Sequence, residues 1–164
     1  MLAVECCMRF YAQKLGEDVE TWGRAGLLHD FDYELHPDEH PLWGIDYLRQ
    51  MGESEEVIGA IASHYEEKTG VAPDSPIQRN LYACDEITGF ITACCYVRPS
   101  RSVLDLEPSS VRKKMKSLNF AAAVSREDLL RGADLIGISF DDHLGNIIQA
   151  MRLSAEELGL KGDL

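Results

Sequence analysis

The chain has 164 residues, 45% of them hydrophobic and 27% charged, which suits one domain with a real core and argues against disorder. Its formal net charge is −12. A surface that acidic repels phosphate backbones, so nucleic acid is not an expected partner, whereas a small phosphate ester drawn by a bound cation remains compatible.

Apolar residues recur at helical spacing from the second position: Leu2, Ala3, Cys6, Cys7, Phe10, Tyr11 and Leu15. The first helix therefore reads as one entered partway along, closed by Gly16. A second helix is expected from about Asp18 to His29, with Val19, Trp22, Ala25 and Leu28 on one face. An acidic loop bracketed by Pro37 and Pro41 follows, and a third helix runs from about Pro41 to Met51, stopped by Gly52. Ser54, Glu55 and Glu56 start a fourth helix that carries His64 and ends before Gly70. Ser75 and Pro76 open a long apolar helix to about Val97, halted by Pro99. A short basic helix is expected from Pro108 through Lys116, and two further helices from Ser125 to about Ile136 and from Ser139 to about Leu158, closed by Gly159. Ser125-x-x-Asp128 and Ser139-x-x-Asp142 read as capping boxes for the last two. No stretch alternates like a strand, so the predicted fold is all-α, one domain over 1–164 with eight or so helices.

The five cysteines include two neighbouring pairs and no C-x-x-C spacing. They read as reduced, buried thiols rather than a disulfide framework or a zinc knuckle. No basic start precedes an apolar run at the N-terminus, and residues 81–97 contain Asp85 and Glu86, so neither a secretory signal nor a membrane span is expected. The expected setting is soluble and cytoplasmic, with no membrane partner.

Chemistry concentrates in one ordered series. Gly26-Leu27-Leu28 ends in adjacent His29 and Asp30, followed by His40 before Pro41, by His64, and by Asp85 in the middle of the long apolar helix. Nitrogen and oxygen donors of this hardness suit a first-row divalent ion with open positions for water and substrate. Asp85 is costly to bury alone among Leu81, Ile87 and Ile91, and a cation would stabilise it.

His29-Asp30, His40-Pro41-x-x-Gly44, His64 and Asp85 resemble the HD-domain metal-dependent phosphohydrolases, in a small bacterial or archaeal branch with additional histidines. The resemblance is strong over about 26–91, with C-terminal helices over 108–160. It implies an all-helical fold in which His29, Asp30 and Asp85 bind the catalytic metal. It also implies that His40 and His64 hold a second ion or contact the phosphate. One or two ions of Mn, Co, Ni, Fe, Zn or Mg are the implied cofactor. Asp30 would hold or bridge the metal, and either His64 or His40 would complete a second ion or protonate the leaving oxygen.

The family pattern also has a metal-ligand His on the helix before the His-Asp pair, and residues 1–28 contain none. The expectation is that this His lies just upstream of Met1; if it is missing altogether, the site loses a ligand. The implied function is hydrolysis of a small phosphomonoester or nucleotide. The rivals are phosphodiester cleavage and a degenerate domain that binds a nucleotide or protein without hydrolysis. Arg98, Lys113 and Lys114, in the basic run 98–116, are the candidate phosphate contacts, although such a run is more often a solvated face. His36 reads as a solvated loop residue, His143 as a surface or core residue, and Trp22 and Trp43 as core.

Overall fold

The computed structural model describes residues 1–163, and among these it is all-helical, with nine helices and no strand. The chain divides into two compact units, Met1–Tyr82 and the residues from Ala83 onward, and the boundary falls within one long helix.

In the first unit, α1 (Leu2–Leu15) buries Val4, Cys7, Met8, Tyr11 and Ala12, a stripe at the spacing of one helical face. Gly16 closes it in the left-handed region with φ 76°. Asp18 then caps α2 (Val19–Leu28), its carboxylate accepting the Thr21 N–H at 2.6 Å. The two helices touch at Gly26, where an added Cβ would stand 2.9 Å from the backbone of Glu5. Only glycine permits that approach, and α2 thereby delivers its last residues to a fixed point.

A turn-rich segment leads to α3 (Leu42–Gln50), which buries Gly44, Ile45 and Leu48. Ser54 caps α4 (Glu55–Ser63), whose inner residues include Val57, Ile58, Ala60 and Ile61. The expected single helix up to Gly70 is broken here: α4 stops at Ser63, and α5 (Glu66–Thr69) is a separate short turn. The cause is competition for carbonyls. The His64 ring takes the Ile61 carbonyl and the Thr69 hydroxyl takes that of Ala62 at 2.7 Å, so neither serves a continuing helix. The first turns of α6 (Pro76–Tyr96) complete the unit with Ile77 and Leu81 buried.

In the second unit the rest of α6 supplies Ile87, Phe90, Ile91, Cys94 and Cys95 to a core shared with α7 (Pro108–Met115), α8 (Arg126–Leu135) and α9 (Phe140–Leu153). Ser125 and Ser139 cap α8 and α9 by accepting the Asp128 and Asp142 N–H groups. Gly132 lets α8 reach α6, since a Cβ there would lie 2.9 Å from Cα of Ala83. The Arg126 guanidinium lies over the Phe90 ring and donates to the carbonyls of Ala121 and Val124, which ties down the loop before α8. The final helix ends at Leu153 rather than near Leu158. Beyond it the chain turns to bury Ala155 and Leu160, and the Leu160 carbonyl accepts the Val103 N–H at 2.9 Å.

None of the five cysteines is in a disulfide, and burial pushes the Cys94 and Cys95 thiols up to about 11, which keeps them neutral. Among the described residues no helix is long and apolar enough to cross a membrane.

Candidate metal centre

The site is assembled where α2 ends. Gly26 leaves its carbonyl to a side chain: the ring of buried His29 donates Nδ1–H to it at 2.8 Å. That bond fixes the imidazole as the tautomer whose Nε2 carries the lone pair, and Nε2 lies 3.2 Å from Oδ2 of Asp30.

Two more imidazoles are held in the same way. His64, at the end of α4, donates Nδ1–H to the Ile61 carbonyl. Buried His40 donates Nδ1–H to Oδ1 of Asp32 at 2.7 Å. Their Nε2 atoms then face each other at 3.2 Å, and they stand 3.3 Å (His40) and 3.6 Å (His64) from Oδ1 of Asp30.

This arrangement is electrostatically incomplete. With each Nδ1 committed as a donor, the lone pairs of His40 and His64 point at one another and at an anionic oxygen. A divalent ion placed among them would relieve that repulsion. The donor set is the one a divalent ion takes, and ligand atoms of Asp30, His40 and His64 all lie within 4.8 Å of one another. The residues therefore fit a metal. Burial pushes the Asp30 carboxyl upward, but hydrogen bonding and charge interaction with His29 and His64 outweigh it and hold the group well below the usual carboxylate range. Asp30 is ionised at neutral pH, as a ligand must be.

Asp32 is the functional residue that the motif reading missed. It is 1% exposed, and its second oxygen accepts the Gly44 N–H at 2.8 Å. A Cβ on Gly44 would stand 2.8 Å from Cγ of Asp32, so the Gly of His40-Pro41-x-x-Gly44 makes room for the carboxylate that orients His40. Carboxylates behind metal-binding imidazoles have this role generally. In the sequence Asp32 is one acid among Glu34, Asp38 and Glu39, and nothing there marks it as buried.

Asp85 is half-buried on the part of α6 that belongs to the second unit, its carbonyl accepting the Thr88 hydroxyl at 2.9 Å. In that same unit Arg98 is engaged with Asp105 at 2.7 Å, and Lys114 lies over the Phe120 ring, 5.0 Å from its centroid. Lys113 is exposed on α7. Arg112, on α7, pairs with Asp141. His143 is fully buried and donates Nε2–H to the Ala83 carbonyl at 2.9 Å, making it a core residue. Trp22 is core as expected, but Trp43 is only half-buried, and His36 stacks on it with centroids 3.9 Å apart.

Comparison with known proteins agrees with this geometry. A family model described as HD domain matches residues 1–89, the stretch that contains His29, Asp30, His40 and His64. Ribonuclease Y of Nitratidesulfovibrio vulgaris (strain DP4) is 35% identical over 92 residues, which are 54% of this chain and 17% of that protein. Ribonuclease Y of Thermosipho melanesiensis is 39% identical over 70 residues, 40% of this chain and 14% of that protein. The corresponding protein of Cutibacterium acnes is 43% identical over 60 residues, 34% of this chain and 11% of the relative. The matched stretch is thus a small part of each relative's length.

Proposed function

Because the chain belongs to the HD-domain family, we propose that it is a metal-dependent phosphohydrolase acting on a small phosphomonoester or nucleotide. The observation that carries this reading is the convergence of His29, His40 and His64 on the single carboxylate of Asp30.

In this reading Asp30, His40 and His64 would hold an ion, and the other oxygen of Asp30 faces Nε2 of His29. Asp85 joins the ligand set on the strength of the sequence pattern. A divalent ion at such a site supplies Lewis acidity at a phosphoryl oxygen and brings the pKa of water down to about 7. The protein's own part is orientation. Asp32 keeps the His40 proton on Nδ1, and the Ile61 carbonyl does the same for His64, so both rings present lone pairs without rearrangement. Were a single ion held instead by His29, Asp30 and Asp85, His64 would be the group to carry a proton on Nε2 to the leaving oxygen.

Phosphodiester cleavage is the second reading, supported by the relatives' name, ribonuclease Y. The net charge of −12 weighs against a long RNA substrate. The experiment is a panel of phosphomonoesters, nucleotides, cyclic dinucleotides and short RNA, each with added Mn, Co, Ni or Mg. Turnover of the small monoesters, lost in Asp30→Asn and in Asp85→Ala, is the expected result. Turnover confined to RNA would favour the second reading. No turnover with any metal would leave a domain that binds without hydrolysis.

A further inference from the structure

Beside the metal ligands, in the same unit, lies a groove of about 500 Å³ whose lining includes Asp38, Glu39, Trp43, Asp46, Tyr47 and Lys68. The metal reading makes no use of these side chains. Trp43 and Tyr47, one turn apart on α3, are stacked with an interplanar angle of 10°, and the His36 ring continues the stack on Trp43 at 13°. Tyr47 is 42% exposed and lines the groove. The stack is also built into the ligand segment: the His36 carbonyl accepts the His40 N–H at 2.8 Å, and the Glu39 carbonyl accepts the Trp43 N–H at 3.1 Å.

Three of the lining's four charged residues are acids, and the amide of Gln50 lies beside them. Asp38, Glu39 and Asp46 bring three carboxylates. The ammonium group of Lys68 is drawn to the Asp38 carbonyl at 2.6 Å and lies by the Tyr65 ring. Such a groove repels phosphate and welcomes a planar group that carries N–H donors. We propose that it binds the amino-bearing base of a nucleotide, stacked on the exposed ring of Tyr47 beside Trp43, with its exocyclic N–H groups facing the carboxylates. The phosphate of that nucleotide then lies toward His40, one residue from Glu39. The inference rests on the phosphohydrolase reading for the phosphate end only.

The test uses the purified chain with chelator present, so neither metal nor turnover enters. Trp22 is 2% exposed, so quenching of tryptophan emission by an added solute reports on Trp43. Adenosine and cytidine should quench saturably, and ribose 5-phosphate should not. Tyr47→Ala keeps the reporter and removes a partly exposed ring; it should weaken nucleoside binding by roughly fivefold or more, the loss expected for one stacking partner. Linear, unsaturable quenching, equal quenching by ribose 5-phosphate, or unchanged affinity in Tyr47→Ala would overturn the proposal. Equal saturation by tetramethylammonium would mark a general cation site and overturn it as well. Nucleoside binding without any phosphatase activity would spare this inference and sink the hydrolase reading. Phosphatase activity on simple esters without nucleoside binding would do the reverse.

Discussion

At the scale of single residues, the centre depends on where three protons sit. His29, His40 and His64 each give Nδ1–H to a fixed acceptor, which turns every Nε2 lone pair toward Asp30. The acceptor for His40 is a carboxylate rather than a carbonyl, and it is anchored from behind by the Gly44 N–H. Replacing Asp32 with Asn leaves the shape and weakens the hold on the proton. Affinity for a divalent ion should fall about 10- to 100-fold, the range for outer-shell partners of metal-binding imidazoles. Isothermal titration with Mn or Zn reads this directly, and circular dichroism confirms that the variant is folded. The sequence displayed His29, Asp30, His40 and His64 because the pairing and order of their types are rare. It concealed Asp32, because burial of a loop acid is decided by a backbone N–H that arrives from another element.

At the scale of elements, most boundaries follow from local chemistry, and they were readable. Asp18, Ser54, Ser125 and Ser139 each accept the N–H three residues on, as their positions before apolar periodicity predict. The misread ends have tertiary or side-chain causes: the carbonyls taken by His64 and Thr69 split α4 from α5, and burial of Leu160 draws the chain out of α9. Trp43 was expected in the core because size and hydrophobicity are visible in a sequence and lateral stacking is not.

Glycines inside helices give a sharper test at this scale. Gly132→Ala puts a methyl 2.9 Å from Cα of Ala83 and should destabilise by about 1–3 kcal/mol through overpacking. Gly145, also inside a helix, has nothing within 4 Å of an added Cβ. Gly145→Ala should therefore stabilise by about 0.5–1 kcal/mol through helix propensity. Urea denaturation of the two variants measures both signs.

At the scale of the whole molecule, acid stability carries a signature of His143. Burial holds its imidazole down to about 4, from an ordinary value of 6.5, although the bond to the Ala83 carbonyl pulls the other way. The unfolded chain takes up this proton below pH 6.5 and the folded chain does so only near pH 4, so folding loses free energy as pH falls between those limits. The full loss is on the order of 3 kcal/mol, with none of it present above pH 6.5. Urea melts at pH 7.5 and 4.5 should show this fall in the parent chain and a smaller one in His143→Gln. An equal fall in both would assign the acid sensitivity to other groups.

The molecule's charge of −12 also frames the proposed chemistry, since an anionic ester approaching it would depend on a cation at the ligand cluster. That cation is best tested with cobalt(II), whose visible absorption reports entry into a nitrogen and oxygen site. Titration of the metal-free chain at pH 7.5 should give a saturable spectrum at one or two equivalents, and Asp30→Ala should abolish it. A featureless titration of the parent chain, or an unchanged spectrum in Asp30→Ala, would contradict the account.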